Sequence, residues 1–404
     1  MPSYLAPGIY VEEIPSGPRP VEAVGTSVAG FVGLAPDASA ALNEARWCDN
    51  WSQFVRVYAK PGNTSTPLSH AVFGFFENGG TRCCVVNVGA AGNLLGDGRT
   101  RQGLDLLETF DDIAIVAAPG YADASAYDAL LSHCEKLRDR VAILDAPETV
   151  ESIDALTKVA VATASPKSRR EGDAPAAQPS AGHRPRQSDG GYGAFYFPHI
   201  TVRDPFAPTQ FVDVAPSGHI AGVYARSDAT RGVHKAPANE VIRGAINVTW
   251  RVSHQEQEKL NPEGVNCIRF FDREGIRIYG ARTVAVSSSE WRYLSVRRLF
   301  NMIEESIARS TRWVVFEPND RPLWKAITRD VSAFLTTIWR QGALKGRTPD
   351  EAFFVRCNDE TNPPEEIDAG RVTILIGIAP VKPAEFVIFR IGQTAEGTQV
   401  DAQS

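Results

Sequence analysis

Four short runs of uninterrupted apolar residues constrain this chain most: VAGFVGLA at 28–35, CCVVNVG at 83–89, DIAIVAAPG at 112–120 and RVAILDAPE at 140–148. Each has the length of one strand, and a strand apolar on both sides must be covered on both sides. Between two of them lies SAYDALLSHCEKLRDR, residues 125–140, which carries a helical period. Strands of this kind alternating with amphipathic helices predict a largely parallel sheet with helices on each face. Residues 23–255 are therefore read as an α/β domain, and the polar stretch HQEQEKLNPEG at 254–264 as the boundary after it.

The rest of the 404 residues differs in kind. Region 256–383 reads as an α+β domain with strands GIRIYGART and RVTILIGIAPV and two helices. Ser287, three residues before Glu290, predicts a capping box for a first helix that turns Val296, Leu299, Phe300, Ile303 and Ile307 to one side. A second helix is predicted from Asn319-Asp320, with Pro322 in its first turn, to Gly342. It directs Leu323, Ile327, Val331, Phe334, Leu335 and Ile338 inward. Lys325, Arg329 and Arg340 lie on its other faces, with Lys345 and Arg347 in the following loop. Residues 165–191, SPKSRREGDAPAAQPSAGHRPRQSDGG, have no apolar period and read as a mobile surface loop.

Composition excludes several functions. A net charge of -6 argues against a nucleic-acid partner, which requires clustered Lys and Arg. No apolar run reaches the about 18 residues of a spanning helix, and the start, MPSYLAPGIY, lacks a signal-peptide pattern, so folding in the cytoplasm and no membrane insertion are expected. The six cysteines and seven histidines show no disulfide or metal-ligand spacing, so no metal or cofactor is expected.

Three strings invite a catalytic reading, and each lacks a necessary part. GTSVAG at 25–30 places Ser27 where a subtilisin-type nucleophile would stand. No histidine precedes it, whereas those enzymes present acid and histidine first. GAAGNLLGDG at 89–98 follows a strand, but Arg101 stands where a dinucleotide-binding loop needs its third glycine. Ser217 and His219 in APSGHIAG do not form a nucleophile elbow. No catalytic residue is assigned; a serine hydrolase built on Ser27 is kept as the alternative.

The two ends are more informative. PGIYVEEIP, residues 7–15, forms one strand bracketed by prolines, with no local partner. Ile9, Val11 and Glu13 face one side, and Tyr10, Glu12 and Ile14 the other. AEFVIFRIG at 384–392 repeats the pattern: Phe386, Ile388 and Arg390 alternate with Val387, Phe389 and Ile391. Ordering seven residues costs on the order of 10 kcal/mol, while each hydrogen bond returns a net ~1 kcal/mol, so these strands must also bury their side chains. A sheet edge supplies both, and that edge can belong to another molecule. Residues 1–22 are accordingly a linker arm and 384–404 a linker strand and tail.

A family resemblance joins these pieces. SYLAPGIYVEEIPSGPRPVEAVGTSVAGFVG, LSHAVFGFFENGGTRCCVVNV and APSGHIAGVYARSDATRGVHKAPANE resemble the tail sheath proteins of contractile phages and related injection systems. GVNCIRFFDREGIRIYGARTVA, WRYLSVRRLFNMIEESI and WVVFEPNDRPLWKAI continue it, and GVYARSDATRGVHKAPAN is the most specific part. The loop at 165–191 stands out as an insertion. Without the extra domains of large phage sheaths, the chain is similar to the short sheaths of pyocins and extracellular injection systems, and the resemblance leaves the parent particle open.

The resemblance implies stacked hexameric rings around an inner tube, closed by baseplate and terminal cap proteins and assembled in a bacterial cytoplasm. It implies that strands Gly8–Ile14 and Phe386–Ile391 complete the C-terminal sheet of neighbouring copies, and that contraction drives the tube forward without a nucleotide. It also implies that a C-terminal-domain helix faces the tube, for which Arg329, Arg340, Lys345 and Arg347 are the candidates. A baseplate or cap protein sharing the fold is the second alternative.

Overall fold

The computed structural model describes residues 20–90, 92–96, 100–161 and 182–386. Its strands are β1 (Ala29–Gly33), β2 (Ala45–Cys48), β3 (Cys83–Asn87), β4 (Ile115–Ala117), β5 (Val141–Asp145), β6 (Gly193–Phe197) and β7 (Ile200–Arg203). They continue with β8 (Phe211–Val214), β9 (Glu240–Val241), β10 (Ala245–Val248), β11 (Val265–Phe271), β12 (Gly275–Ile278), β13 (Phe353–Arg356) and β14 (Leu375–Ile378). Nine of them form one sheet in the order β2-β3-β1-β4-β5-β6-β11-β12-β9, parallel from β3 through β11. The four apolar runs supply β1, β3, β4 and β5. Successive residues feed opposite layers: Cys83 and Val85 enter one core, and Cys84 and Val86 the other. Both layers are lined by buried apolar side chains, as the sequence predicts.

Helices α1 (Trp51–Tyr58), α2 (Pro67–Glu77), α3 (Ala124–Leu137) and α4 (Ser217–Arg231) cover the sheet. Asp123 caps α3, accepting from the Ser125 and Ala126 N–H groups. α2 and α4 pack at very short range because glycines line their crossing. A Cβ at Gly218 would lie 2.2 Å from the Ala71 backbone, and one at Gly222 would lie 2.4 Å from the Phe75 carbonyl oxygen.

The expected boundary at 254–264 is not where the layers change. Those residues form the short helix α5 (His254–Leu260) and a tight turn, after which β11 and β12 extend the main sheet. Ser253 and Glu256 form a capping box, so the polarity belongs to an exposed helix start and not to a linker. Part of the predicted mobile loop is likewise corrected. Residues 165–181 lie outside the described residues, but 182–191 are packed: Arg184 pairs with Glu263, and Arg186 reaches Asp128 at 2.6 Å and Glu135 at 2.9 Å. Charged partners far away in sequence order this segment, and an apolar period cannot reveal them.

The C-terminal layer consists of α6 (Leu294–Ser310), α7 (Arg321–Arg340) and the antiparallel pair β13-β14. All six residues predicted to point inward on the second helix are buried in α7, and Asp320 caps it, accepting from the Leu323 N–H. On α6, Leu299 and Ile303 join the same core while Phe300 is only half-buried, its ring edge-on to Trp291 at 4.9 Å. The predicted Ser287 box does not form. Its hydroxyl donates to the Pro262 carbonyl instead, and Ser289 caps a 3-10 turn that leads into the helix.

Replacing a helical glycine with alanine ordinarily stabilises by about 1 kcal/mol. At Gly218 the sign should reverse, with a loss of about 2 kcal/mol from overpacking against Ala71. Urea unfolding of Gly218→Ala checks this, and an unchanged or raised midpoint would show that the two helices separate freely.

Candidate intersubunit interface

β13 and β14 form a two-stranded sheet, with Phe353 opposite Ile378 and Val355 opposite Ile376. The Ala379 N–H donates to the Ala352 carbonyl at 2.8 Å, which fixes the alternation: 354/377 and 356/375 are the mutually bonded pairs. Val355 on one margin, and Ile376 and Ile378 on the other, therefore turn their backbone N–H and C=O groups outward. Among the described residues no other segment takes these groups. One face of the pair packs Phe353, Val355, Ile376 and Ile378 onto the α7 core. The other face leaves Phe354 and Leu375 about half exposed.

Gly8, Ile9, Tyr10, Val11, Glu12, Glu13 and Ile14 lie outside the described residues, but the root of that arm is visible. Val21 and Val24 pack against the C-terminal core. The Glu22 and Val24 N–H groups donate to the Ser310 and Ser306 hydroxyls on α6 at 3.2 and 3.0 Å. Just beyond, Arg298 of α6 pairs with Asp228 of α4 at 2.5 Å, the side chains 3% and 7% exposed. Arg298 also donates to the Thr26 carbonyl at 3.0 Å, and the Thr26 hydroxyl donates to Asp228 at 2.5 Å. The guanidinium lies 4.7 Å from the centre of the Tyr224 ring. One buried ion pair thus ties together the arm root, the sheet-covering helix and the C-terminal layer.

The tail root is held in a comparable way. After β14 the chain bonds back to the segment following α7, with Lys345 N–H to Ala379 O at 2.8 Å and Val381 N–H to Ala343 O at 3.1 Å. It then crosses to the main sheet. Glu385 receives Arg282 Nε and Nη2 at 2.7 and 2.8 Å, Asn261 Nδ2 at 2.8 Å and the Tyr293 hydroxyl at 3.2 Å. Arg282 is itself locked to β11, because the Asn266 amide side chain bonds both its N–H and its C=O, at 2.7 and 2.8 Å. Burial pushes the Glu385 carboxyl up, but Arg282 and Asn261 outweigh it and hold it below the usual range. Phe386 follows at once and is 72% exposed; Val387, Ile388, Phe389, Arg390 and Ile391 lie outside the described residues.

The cationic candidates are all exposed. Arg329 and Arg340 stand three turns apart on nearly the same side of α7, separated by about 16 Å along its axis. Arg329 bonds the neighbouring Asp330 at 2.9 Å, whereas Arg340, Lys345 and Arg347 make no ion pair among the described residues. Trp339 Nε1 donates to the Gly346 carbonyl at 3.0 Å and folds the loop that carries Lys345 and Arg347 against the helix end.

The catalytic strings find no site. His219 is wholly buried, and burial pushes its imidazole down to about 3, with His70 adding to the effect. The Gly96 N–H in the glycine-rich loop already donates to the Asp105 carboxylate at 2.9 Å, so an acid stands where a phosphate loop needs an anion's place free. No group of metal ligands occurs among the described residues, and no helix there is long and apolar enough to cross a membrane.

The phage tail sheath central domain family matches residues 101–284, and the phage tail sheath C-terminal domain family matches 286–394. The chain belongs to the contractile tail sheath family. Its sheath fold is close to that of the contracted PVC sheath complex of an extracellular contractile injection system. The two are 28% identical with a TM-score of 0.76, over 98% of this chain and 99% of that one. The contracted helical sheath of the anti-feeding prophage gives 29% and 0.74, over 97% and 100%. The tail sheath protein of Vibrio phage KVP40 is 26% identical over 44% of this chain; the matched span is only 26% of that protein's length. The protein is therefore a structural sheath component of a phage tail or phage-tail-like particle, and the Ser27 hydrolase reading falls with that membership.

Sequence reasoning missed Asp228, Arg282, Arg298 and Glu385. Arg298 carried a faint signal as a charge among the apolar positions of α6, and Glu385 as the charge that opens a strand. Glu385→Gln should leave Arg282 without its counter-charge and destabilise the fold by about 2 kcal/mol at pH 7. A depressed carboxyl contributes its stability above the ordinary value of 4.5 and loses it as pH falls through the folded value. Thermal melting should therefore show the two proteins converging as pH falls below about 4.5; a constant gap would contradict the clamp.

Proposed function

We propose that this chain polymerises head to tail into a sheath around an inner tube, and that contraction of the sheath drives the tube through a target envelope. The observation that carries the reading is the β13-β14 pair with outward-turned backbone groups on both margins, in a chain whose two ends are fastened at their roots and continue as apolar strand patterns. Strand Gly8–Ile14 of one copy and Phe386–Ile391 of another would take those margins. The linkage joins different surfaces of each copy, so a rotation that does not close yields a helical tube. Contraction needs two packings of the linked copies, one metastable; each subunit contributes a modest preference, and the polymer sums it.

Arg329, Arg340, Lys345 and Arg347 are proposed to meet an acidic inner tube. Exposed charges suit a contact that must be released, because each is worth less than about 1 kcal/mol and is screened by salt. Baseplate and terminal cap proteins would close the polymer's ends.

Removing residues 1–20 should leave a folded, soluble subunit that forms no long tubes in negative-stain microscopy; full-length tubes from that truncation would overturn the reading. Ile388→Asp should damage the same linkage from the other end. Protein found only at tube ends would instead identify a baseplate or cap component. Charge reversal at Arg340, Lys345 and Arg347 should weaken tube association in a salt-dependent way while self-assembly persists.

A further inference from the structure

The loop between α6 and α7 ends in a tight turn over Val314, Val315, Phe316 and Glu317, closed by the Glu317 N–H donating to the Val314 carbonyl at 3.1 Å. Val315 has φ -65° and ψ 125°, and Phe316 has φ 73°. These are the angles of a type II turn, whose third position favours glycine because L side chains crowd the backbone at positive φ. A phenylalanine occupies it here. Its side chain is fully exposed, at 102% of the reference accessibility, and Val315 beside it is 64% exposed. Both the backbone conformation and the solvation of the ring are unfavourable in the isolated subunit.

The turn is nevertheless anchored on both sides. Asn319 accepts from Trp324 Nε1 at 2.8 Å and donates to the Arg371 carbonyl at 2.9 Å, and Asp320 caps α7. Trp313 before the turn and Val314 at its first position pack on the C-terminal core, and the Thr311 hydroxyl donates to the Ile307 carbonyl at 2.7 Å. A strained, pre-organised, apolar tip has the character of an interface anchor.

We propose that the Phe316 turn docks into an apolar site on a second copy of this chain. The inference rests on the reading that the chain polymerises. Asn319 ties the base of the turn to residue 371, four residues and at most about 13 Å of chain before Leu375, the first residue of β14. A second copy whose strand occupied the β14 margin would have part of its chain on the side of the molecule where the base of this turn is tied. The tip also carries no charge at its summit, so it fits a contact that is kept, in contrast to the exposed cations of α7, which fit one that is released.

The test compares Phe316→Gly and Phe316→Leu with the wild-type chain, by pelleting and thermal melting. Glycine relieves the backbone and removes the ring. It should leave the melting midpoint equal or higher and raise the critical concentration for assembly by at least about tenfold, the size of loss expected for one anchoring aromatic. Leucine should keep assembly within about threefold of wild type, because a smaller apolar side chain retains part of the contact. An unchanged critical concentration in Phe316→Gly overturns the anchor, as does a midpoint lowered by several degrees, which would place the ring in the fold of its own subunit. A photo-crosslinking phenylalanine analogue at position 316 of assembled particles should yield sheath–sheath dimers; crosslinks only to the tube protein, or none, overturn it as well. Failure of the wild-type chain to assemble would instead defeat the polymer reading itself.

Discussion

Backbone hydrogen bonding at the margins of β13-β14 is the constraint on which the rest turns. Two strands alone are marginal in water, and this pair persists because one face is pressed on the α7 core. Its margins still present Val355, Ile376 and Ile378 to whatever can pair with them. Natural proteins blunt such edges with charge, proline or a covering loop. None of these protects Val355, Ile376 or Ile378 among the described residues, and the bordering face carries exposed Phe354 and Leu375. A sheet built in this way can accept further strands, and the chain's own ends have the residue pattern of such strands.

Under the proposed linkage, the roots of those ends would carry the load between copies. Tension on an arm reaches Ser306, Ser310 and the Arg298–Asp228 pair, and so passes into α4 and the main sheet. Tension on a tail reaches Glu385 and passes through Arg282 and Asn266 into β11. Both routes end on the rigid nine-stranded sheet. Neither relies on an exposed ion pair, which would contribute little and weaken in salt. Buried pairs are costly to break from one side, since the remaining charge is stranded, so each root either holds or fails as a unit.

Much of this was legible in the residues. The four apolar runs became β1, β3, β4 and β5 because a strand covered on both faces leaves a local signature. α7 was read nearly to its ends because Asp320, Pro322 and Gly342 punctuate a strong 3.6-residue period. The errors share a cause. The boundary at 254–264 and the loop at 182–191 were judged by polarity, yet Arg184 and Arg186 are ordered by partners more than 50 residues distant. Ser287 found a distant carbonyl before it could cap. The Arg298–Asp228 and Arg282–Glu385 pairs, 70 and 103 residues apart, were invisible for the same reason. The Phe316 turn was hidden differently: nothing in VVFEPND marks a phenylalanine in the place of glycine.

Amide hydrogen exchange across β13 and β14 tests the central claim most directly. In the dissociated subunit the Val355, Ile376 and Ile378 amides should exchange quickly while their bonded neighbours Phe354 and Gly377 are protected. In the assembled polymer all five should be slow. Equal protection of the margin amides in both states would mean that the strands' partners lie within the same subunit, and the account would be wrong.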